Sequence, residues 1–231
     1  MSAREAILAR VRAATADVPA GEPPAWERER DAGPDSAYAC ERHEPAAERT
    51  ARFAARVREH GARVVEIPDE PGAVAAAVGA ACAALGIATA LVPADFPAAW
   101  TPPGLRRVAD EPPLEPAALA LAEGVLTGAA LGIADTGTIA FDGGAAQGRR
   151  ALTLVPDVHV CVVRERQLVG SVPEGLEQLA AAARAGRPIT LVSGPSATSD
   201  IAFERVVGVH GPRTLHVVLA TSKTTAAAGA P

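Results

Sequence analysis

Short apolar runs along the chain are separated by polar gaps rich in glycine and proline, and the period within each run predicts its element. Ile7, Leu8 and Val11 share one face of a short N-terminal helix, with Ser2 and Glu5 at capping-box spacing at its start. From Asp17 to Pro45, prolines, glycines and charges follow without periodicity, which predicts an extended connector. Pro45 opens a second helix carrying Phe53 and Val57 on one face, and Gly61 supplies its stop. "ARVVEI", "PGAVAAAVGAACAALG" and "IATALV" then read as strand, helix and strand, with Val74, Val78, Cys82 and Leu85 along one side of the helix. Two strands joined by a crossover helix predict parallel pairing.

The proline-rich segment from Pro93 to Pro116 reads as loop with a short strand at "LRRVA", and "EPAALALAE" as one or two helical turns. Beyond it the β signals become denser. Strands are predicted at "GVLTGA", "LGIA", "TGTIAF", "ALTLV", "HVCVV", "QLVG", "PITLVS" and "TLHVVLA", with a helix over "PEGLEQLAAAARAG" closed by Gly186. The pattern predicts an α/β fold with a mixed or mostly parallel sheet flanked by helices. Residues 1–44 form a helical extension and connector in this reading, 45–221 the α/β body, and 222–231 a disordered tail.

At 231 residues the chain is long enough to bury one substantial core. Aromatics make up only 3% of it, so Val, Leu, Ile and Ala must fill that core. No run approaches the roughly 18 uninterrupted apolar residues of a membrane helix. The N-terminus has no basic-then-apolar leader pattern, so the expected location is the cytoplasm. A formal charge of −5 without a basic stripe argues against nucleic-acid binding. The single lysine, Lys223, lies in the polar tail, which argues against Schiff-base or phosphate-loop chemistry. Cys40, Cys82 and Cys161 are far apart and form no C-x-x-C, so neither a disulfide framework nor a self-contained metal or iron–sulfur site is expected.

Chemistry-bearing residues gather at three junctions beside predicted strand ends, where ligands of α/β sheets usually sit. In "IADTGTIAFDGGAAQGRR", Gly137 permits a sharp turn between Asp135 and Thr138, and Gly143 and Gly144 expose backbone N–H groups suited to an anion nest. Arg149 and Arg150 can add forked contacts to a phosphate or carboxylate, and Asp135 can serve as base or nucleophile. The competing reading is a hairpin turning at Asp142-Gly143. "SGPSATSD" follows the strand "ITLV"; Ser193, Gly194, Ser196 and Asp200 suit a bound anion, or equally the N-cap of a helix. In "GVHGPRTLHVVL", His210 lies at a bend and is a candidate acid or base, whereas His216 reads as a packed or edge residue of the last strand. His159 in "PDVHVCVV" reads as strand-borne. No nucleophile elbow, P-loop or dinucleotide fingerprint is present.

"ADTGTIAFDGGAAQGRRALTLVPDVHVCVV", "SGPSATSDI" and "GVHGPRTLHVVL", in that order, closely resemble the LUD-domain family, the lactate-utilisation C group. The resemblance covers roughly the second half of the chain. It implies the α/β architecture shared by sugar-phosphate isomerases, glucosamine-phosphate deaminases and CoA transferases. It also implies a component of a three-part system that oxidises L-lactate to pyruvate, in which iron–sulfur clusters belong to partner subunits and none to this chain. Thr136, Gly137 and Thr138 fall in the most recognisable segment; many family members carry Glu where this chain has Asp135, which withdraws the charge by about one methylene. The alternatives it leaves open are a stand-alone transferase-like or isomerase-like enzyme acting on a small anion, and a non-catalytic assembly subunit.

Overall fold

The structure, a computed structural model, describes residues 2–14, 16, 44–198, 206–207 and 211–222. Cys40, Asp200, His210 and the tail from Lys223, with nearly all of the expected connector, lie outside the described residues. The chain divides into two compact units, residues 1–39 and 40–231.

In the first unit, α1 (Ala3–Ala14) begins with the expected reciprocal cap. The Glu5 amide donates to Ser2 Oγ at 3.2 Å, and the Ser2 amide donates to the Glu5 carboxylate at 2.6 Å. It buries no residue, and Ile7, Leu8 and Val11 are exposed.

The second unit starts with α2 (Ala46–Glu59), followed by β1 (Arg63–Pro68), α3 (Pro71–Leu85), β2 (Thr89–Val92) and β3 (Arg106–Ala109). Then come α4 (Pro116–Ala120), β4 (Val125–Thr127), β5 (Leu131–Ile133), β6 (Thr138–Phe141) and α5 (Arg150–Leu154). The remainder comprises β7 (Val158–Arg164), β8 (Leu168–Val169), α6 (Val172–Arg184), β9 (Thr190–Val192), the short pair β10 (Ala197–Thr198) and β11 (Val206–Val207), and β12 (Thr214–Thr221). Six strands form one sheet in the order β1-β12-β7-β4-β2-β3, parallel throughout. Burial on both faces explains why "VHVCVVR" and "TLHVVLAT" read as nearly unbroken apolar runs rather than alternating ones.

Strand alternation divides the core. Cys161, Val163, Leu215, Val217 and Leu219 face Phe53, Ala54 and Val57 of α2. Val160, Val162, Val218 and Ala220 face Val74, Val78 and Cys82 of α3. A second sheet, ordered β8-β5-β6-β9, presents Ile139, Phe141 and Leu168 to the α2 side. Its other face, with Leu131, Ile133, Ala140 and Val169, is covered by Leu179 of α6. Helix α2 therefore contributes to a core shared by both sheets.

Two expectations are corrected. "ALTLV" is helical, not a strand: α5 packs Leu152 against Leu91, Leu119 and Val125, and the Thr153 hydroxyl donates back to the Arg150 carbonyl at 3.0 Å. A five-residue apolar run is too short for its period to distinguish the two. The hairpin also turns elsewhere. β5 and β6 pair antiparallel around Ala134–Gly137, and the chain after Asp142 runs on through a loop into α5 instead of returning along β6. His216 is a packed residue, as one of the two expectations had it, but in the sheet centre rather than at an edge.

Candidate functional site

The hairpin turn carries Asp135, Thr136 and Gly137. Gly137 has φ +61°, and a Cβ there would lie 2.7 Å from the backbone of Arg56 and Val57, so glycine is required both by conformation and by the closeness of α2. Its neighbour Asp135 forms an ion pair with Arg52, Nε to carboxylate oxygen 3.1 Å, and Arg52 also pairs with Glu44. Hydrogen bonding to Glu44, with further help from Asp135 and Glu48, raises the Arg52 pKa against the opposing effect of burial. The Asp135 amide donates to the Gly170 carbonyl at 3.1 Å. Asp135 is thus built into the contact between the hairpin tip and α2.

From the turn a chain of hydroxyls leads away. Thr136 Oγ1 and Thr138 Oγ1 are 2.7 Å apart, and Thr138 Oγ1 and Ser193 Oγ are again 2.7 Å apart. These contacts join the first and second motifs through β6 and the end of β9. Ser193 lies on the rim of a groove of about 230 Å³ lined by Thr153, Thr190, Ser193, Ser196, Gly211 and Pro212, with Leu154 and Leu191 supplying apolar wall. The Ser196 amide donates to the Pro212 carbonyl at 2.8 Å, which ties the second motif to the third. A smaller recess lined by Gly143 and Arg150 shares Thr153 and Thr190 with this groove. The three motifs therefore converge, in the residues that can be described, on one concave and hydroxyl-rich surface.

The predicted residues do not all contribute to it. Gly143 has φ +67°, but the Gly144 amide of the expected nest donates to the Asp142 carboxylate at 3.0 Å. That carboxylate also accepts from the Gln147 amide group at 2.9 Å and pairs with Arg187 at 2.9 Å. The nest holds an internal anion. Arg149 forks onto Asp110, with Nε at 2.5 Å and Nη2 at 3.0 Å, and also donates to the Leu114 carbonyl. Burial raises the Asp110 carboxyl, but Arg149 and the Leu114 amide outweigh it and hold it below the ordinary carboxylate range. Arg150 is exposed at the start of α5, beside the recess.

Sequence reasoning missed His60, Arg52, Glu44, Thr153 and Thr190. His60 Nε2 lies 2.9 Å from the Thr136 carbonyl. Gly194, at φ +89°, passes so close that a Cβ would be 2.5 Å from His60 Cβ. A histidine directly before the helix-ending Gly61 was the available signal, but nothing local announces a contact 76 residues away. Thr153 was hidden in the run misread as a strand. His159 is fully buried, with Nε2 2.7 Å from Thr127 Oγ1 and its ring tilted against Phe141; desolvation pushes its pKa down to about 4. It faces the core and not the groove. Cys82 and Cys161 belong to different core clusters, and burial raises both thiols, that of Cys161 to about 12. Among the described residues no helix is long and apolar enough to cross a membrane.

The fold and groove define an α/β protein in which a parallel sheet and a smaller mixed sheet share one core and three polar motifs meet beside the smaller sheet's edge. A LUD domain matches residues 116–220. The Lactate utilization protein C of Deinococcus radiodurans is 49% identical over 170 residues, which cover 73% of this chain and 77% of that one. The uncharacterized protein YkgG of Escherichia coli is 35% identical over 85 residues, about a third of either chain. A 1.70 Å crystal structure of a DUF162 family protein from Deinococcus radiodurans superposes with a TM-score of 0.66 at 40% identity, covering 77% of this chain and 99% of that one. The chain belongs to the LUD-domain family.

Proposed function

We propose that this chain is a component of an L-lactate utilisation system, a cytoplasmic subunit that leaves iron–sulfur chemistry to partner subunits and binds a small carboxylate or phosphate in the groove between Thr153, Ser193 and Ser196. The observation that carries the reading is the meeting of three separated motifs on one hydroxyl-lined groove, in a chain 49% identical to a protein named Lactate utilization protein C. Hydroxyls at Thr190, Ser193 and Ser196 can donate to carboxylate or phosphate oxygens, and the exposed Arg150 stands beside them. The apolar wall of Leu154 and Leu191 suits the carbon end of a short organic acid. The described lining is of hydroxyl, glycine, proline and aliphatic residues, and the reading assigns binding to this surface.

Deleting the gene should abolish growth on L-lactate while leaving growth on other carbon sources intact, and undiminished growth would overturn the role. Re-expression of a Ser193→Ala/Ser196→Ala double variant should restore growth poorly. Both hydroxyls lie near the surface, and the variant should fold with a circular dichroism spectrum like that of the parent.

A further inference from the structure

The contacts from Thr136 through Thr138 to Ser193 do more than join two motifs. In the β6–β9 register Ile139 stands opposite Val192 and Ala140 opposite Leu191, so the next pair along is Thr138 and Ser193, with both side chains on one face. Thr138 is 6% exposed, whereas Ser193 is exposed on the groove, so the pair runs from the interior to the rim. Thr190, 7% exposed, also lines the groove, and among the described residues its hydroxyl has no hydrogen-bond partner. A hydroxyl that is nearly buried yet open to a groove is one that a ligand can satisfy.

The three hydroxyls carry three protons and share two contacts, each of 2.7 Å, so one proton is left over. On Thr138 it would have no acceptor among the described residues, so it emerges at an end of the chain, on Thr136 or on Ser193. A carboxylate or phosphate offers lone pairs, so it draws the free proton to Ser193 and sets the order of donation from Thr136 to Thr138 to Ser193. We propose that Thr138 is a positioning residue for that anion: its hydroxyl donates to Ser193 Oγ, holds the side chain at the rim before the ligand arrives and turns the Ser193 proton into the groove. This role rests on the reading of the groove as an anion site. A hydroxyl that accepts one bond while donating another is the stronger donor, and a side chain already held loses less freedom on binding.

L-lactate and inorganic phosphate, each titrated into the full chain and followed through the backbone amide signals of Thr190 and Ser193, test this. Ser193→Ala and Thr138→Val should each weaken the tighter of the two probes by roughly three- to tenfold, the scale of freezing one side chain. Thr138→Ser keeps the hydroxyl and should bind within about twofold of the parent, as should Thr136→Val, which leaves the Thr138–Ser193 contact in place. The decisive comparison is the double variant: adding Thr138→Val to Ser193→Ala should cause no further loss, because Thr138 acts through Ser193. Thr138→Cys, a weaker donor of similar size, takes the place of the valine variant in the same comparison should that one fail to fold. An additive loss in the double variant, an unchanged affinity in Thr138→Val, or an equal loss in Thr136→Val overturns the role of Thr138 and leaves the anion groove standing. No binding of either probe to the parent, or no loss in Ser193→Ala, overturns the reading of the groove itself and this inference with it.

Discussion

Asp135 and Gly137 sit two residues apart, and the structure gives them different duties. Gly137 answers two demands at once, a left-handed φ and a backbone-close approach to α2, and any side chain fails both. Gly137→Ala should cost about 2 kcal/mol or more, read as a lower urea midpoint. The Asp135–Arg52 pair is about one-quarter exposed on both sides, where ion pairs contribute roughly 0–1 kcal/mol. Asp135→Asn should therefore barely move the melting temperature. Because its carboxylate is absent from the groove lining, the variant should also support growth on L-lactate as well as the parent; a loss of growth with an unchanged melting temperature would assign it chemistry. Thr138 lies between these extremes. Its hydroxyl is the middle of the Thr136–Thr138–Ser193 chain, so Thr138→Val leaves two hydroxyls short of a partner and should destabilise by about 1–2 kcal/mol, while Thr138→Ser restores most of the loss.

At the scale of elements, α2 is the piece on which both sheets depend. Phe53 is fully buried, and its ring fills the space that Gly132 leaves on β5 while Leu168 of β8 packs nearby. Truncating it opens a void bounded by both sheets. Phe53→Ala should cost about 3–5 kcal/mol and slacken hydrogen-exchange protection in β5, β6 and β8 as well as in β1. The same helix shows where sequence reading works and where it stops. The Phe53/Val57 face and the Gly61 stop are legible because helix period and stop signals are local. So are the β1–α3–β2 unit and Gly86 and Gly186, both with positive φ just past helix ends. The partner of that face is not legible, because the contacts of Arg52 and His60 with the hairpin tip span more than 70 residues and leave no periodic trace. Strand order is hidden likewise: nothing local shows that β12, last in sequence, lies between β1 and β7. For the site, Ser193, Ser196 and Thr138 were marked by their glycine-punctuated motifs. Gly144 and Arg149 carried the same marking, yet the acids that occupy them, Asp142 and Asp110, could be recognised only in three dimensions.

The whole molecule combines two buried imidazoles with a sheet that has no room for their charge. His159 on β7 and His216 on β12 lie in adjacent central strands, and desolvation lowers the pKa of both, with Arg63 adding to the effect at His216. Among the described residues, His159 Nδ1 and both ring nitrogens of His216 have no hydrogen-bond partner, so a proton added there would gain no partner among them. For a base whose folded pKa is depressed, both states are neutral above about pH 6.5 and stability does not depend on the group. As pH falls through 6.5 the unfolded chain takes up a proton that the folded chain refuses, and the penalty grows until the folded pKa near 4 is reached. Over that window His159 alone accounts for roughly 3 kcal/mol of lost stability, at about 1.4 kcal/mol per pKa unit. Urea titrations at fixed temperature should show stability flat from pH 8 to about 7 and falling steadily from about 6.5 to 4. His159→Gln keeps a group able to donate to Thr127 yet cannot titrate in this range, and it should flatten that fall by the His159 share whatever its own effect at neutral pH. An unaltered slope in the variant would assign the acid sensitivity of this window to His216 and not to His159.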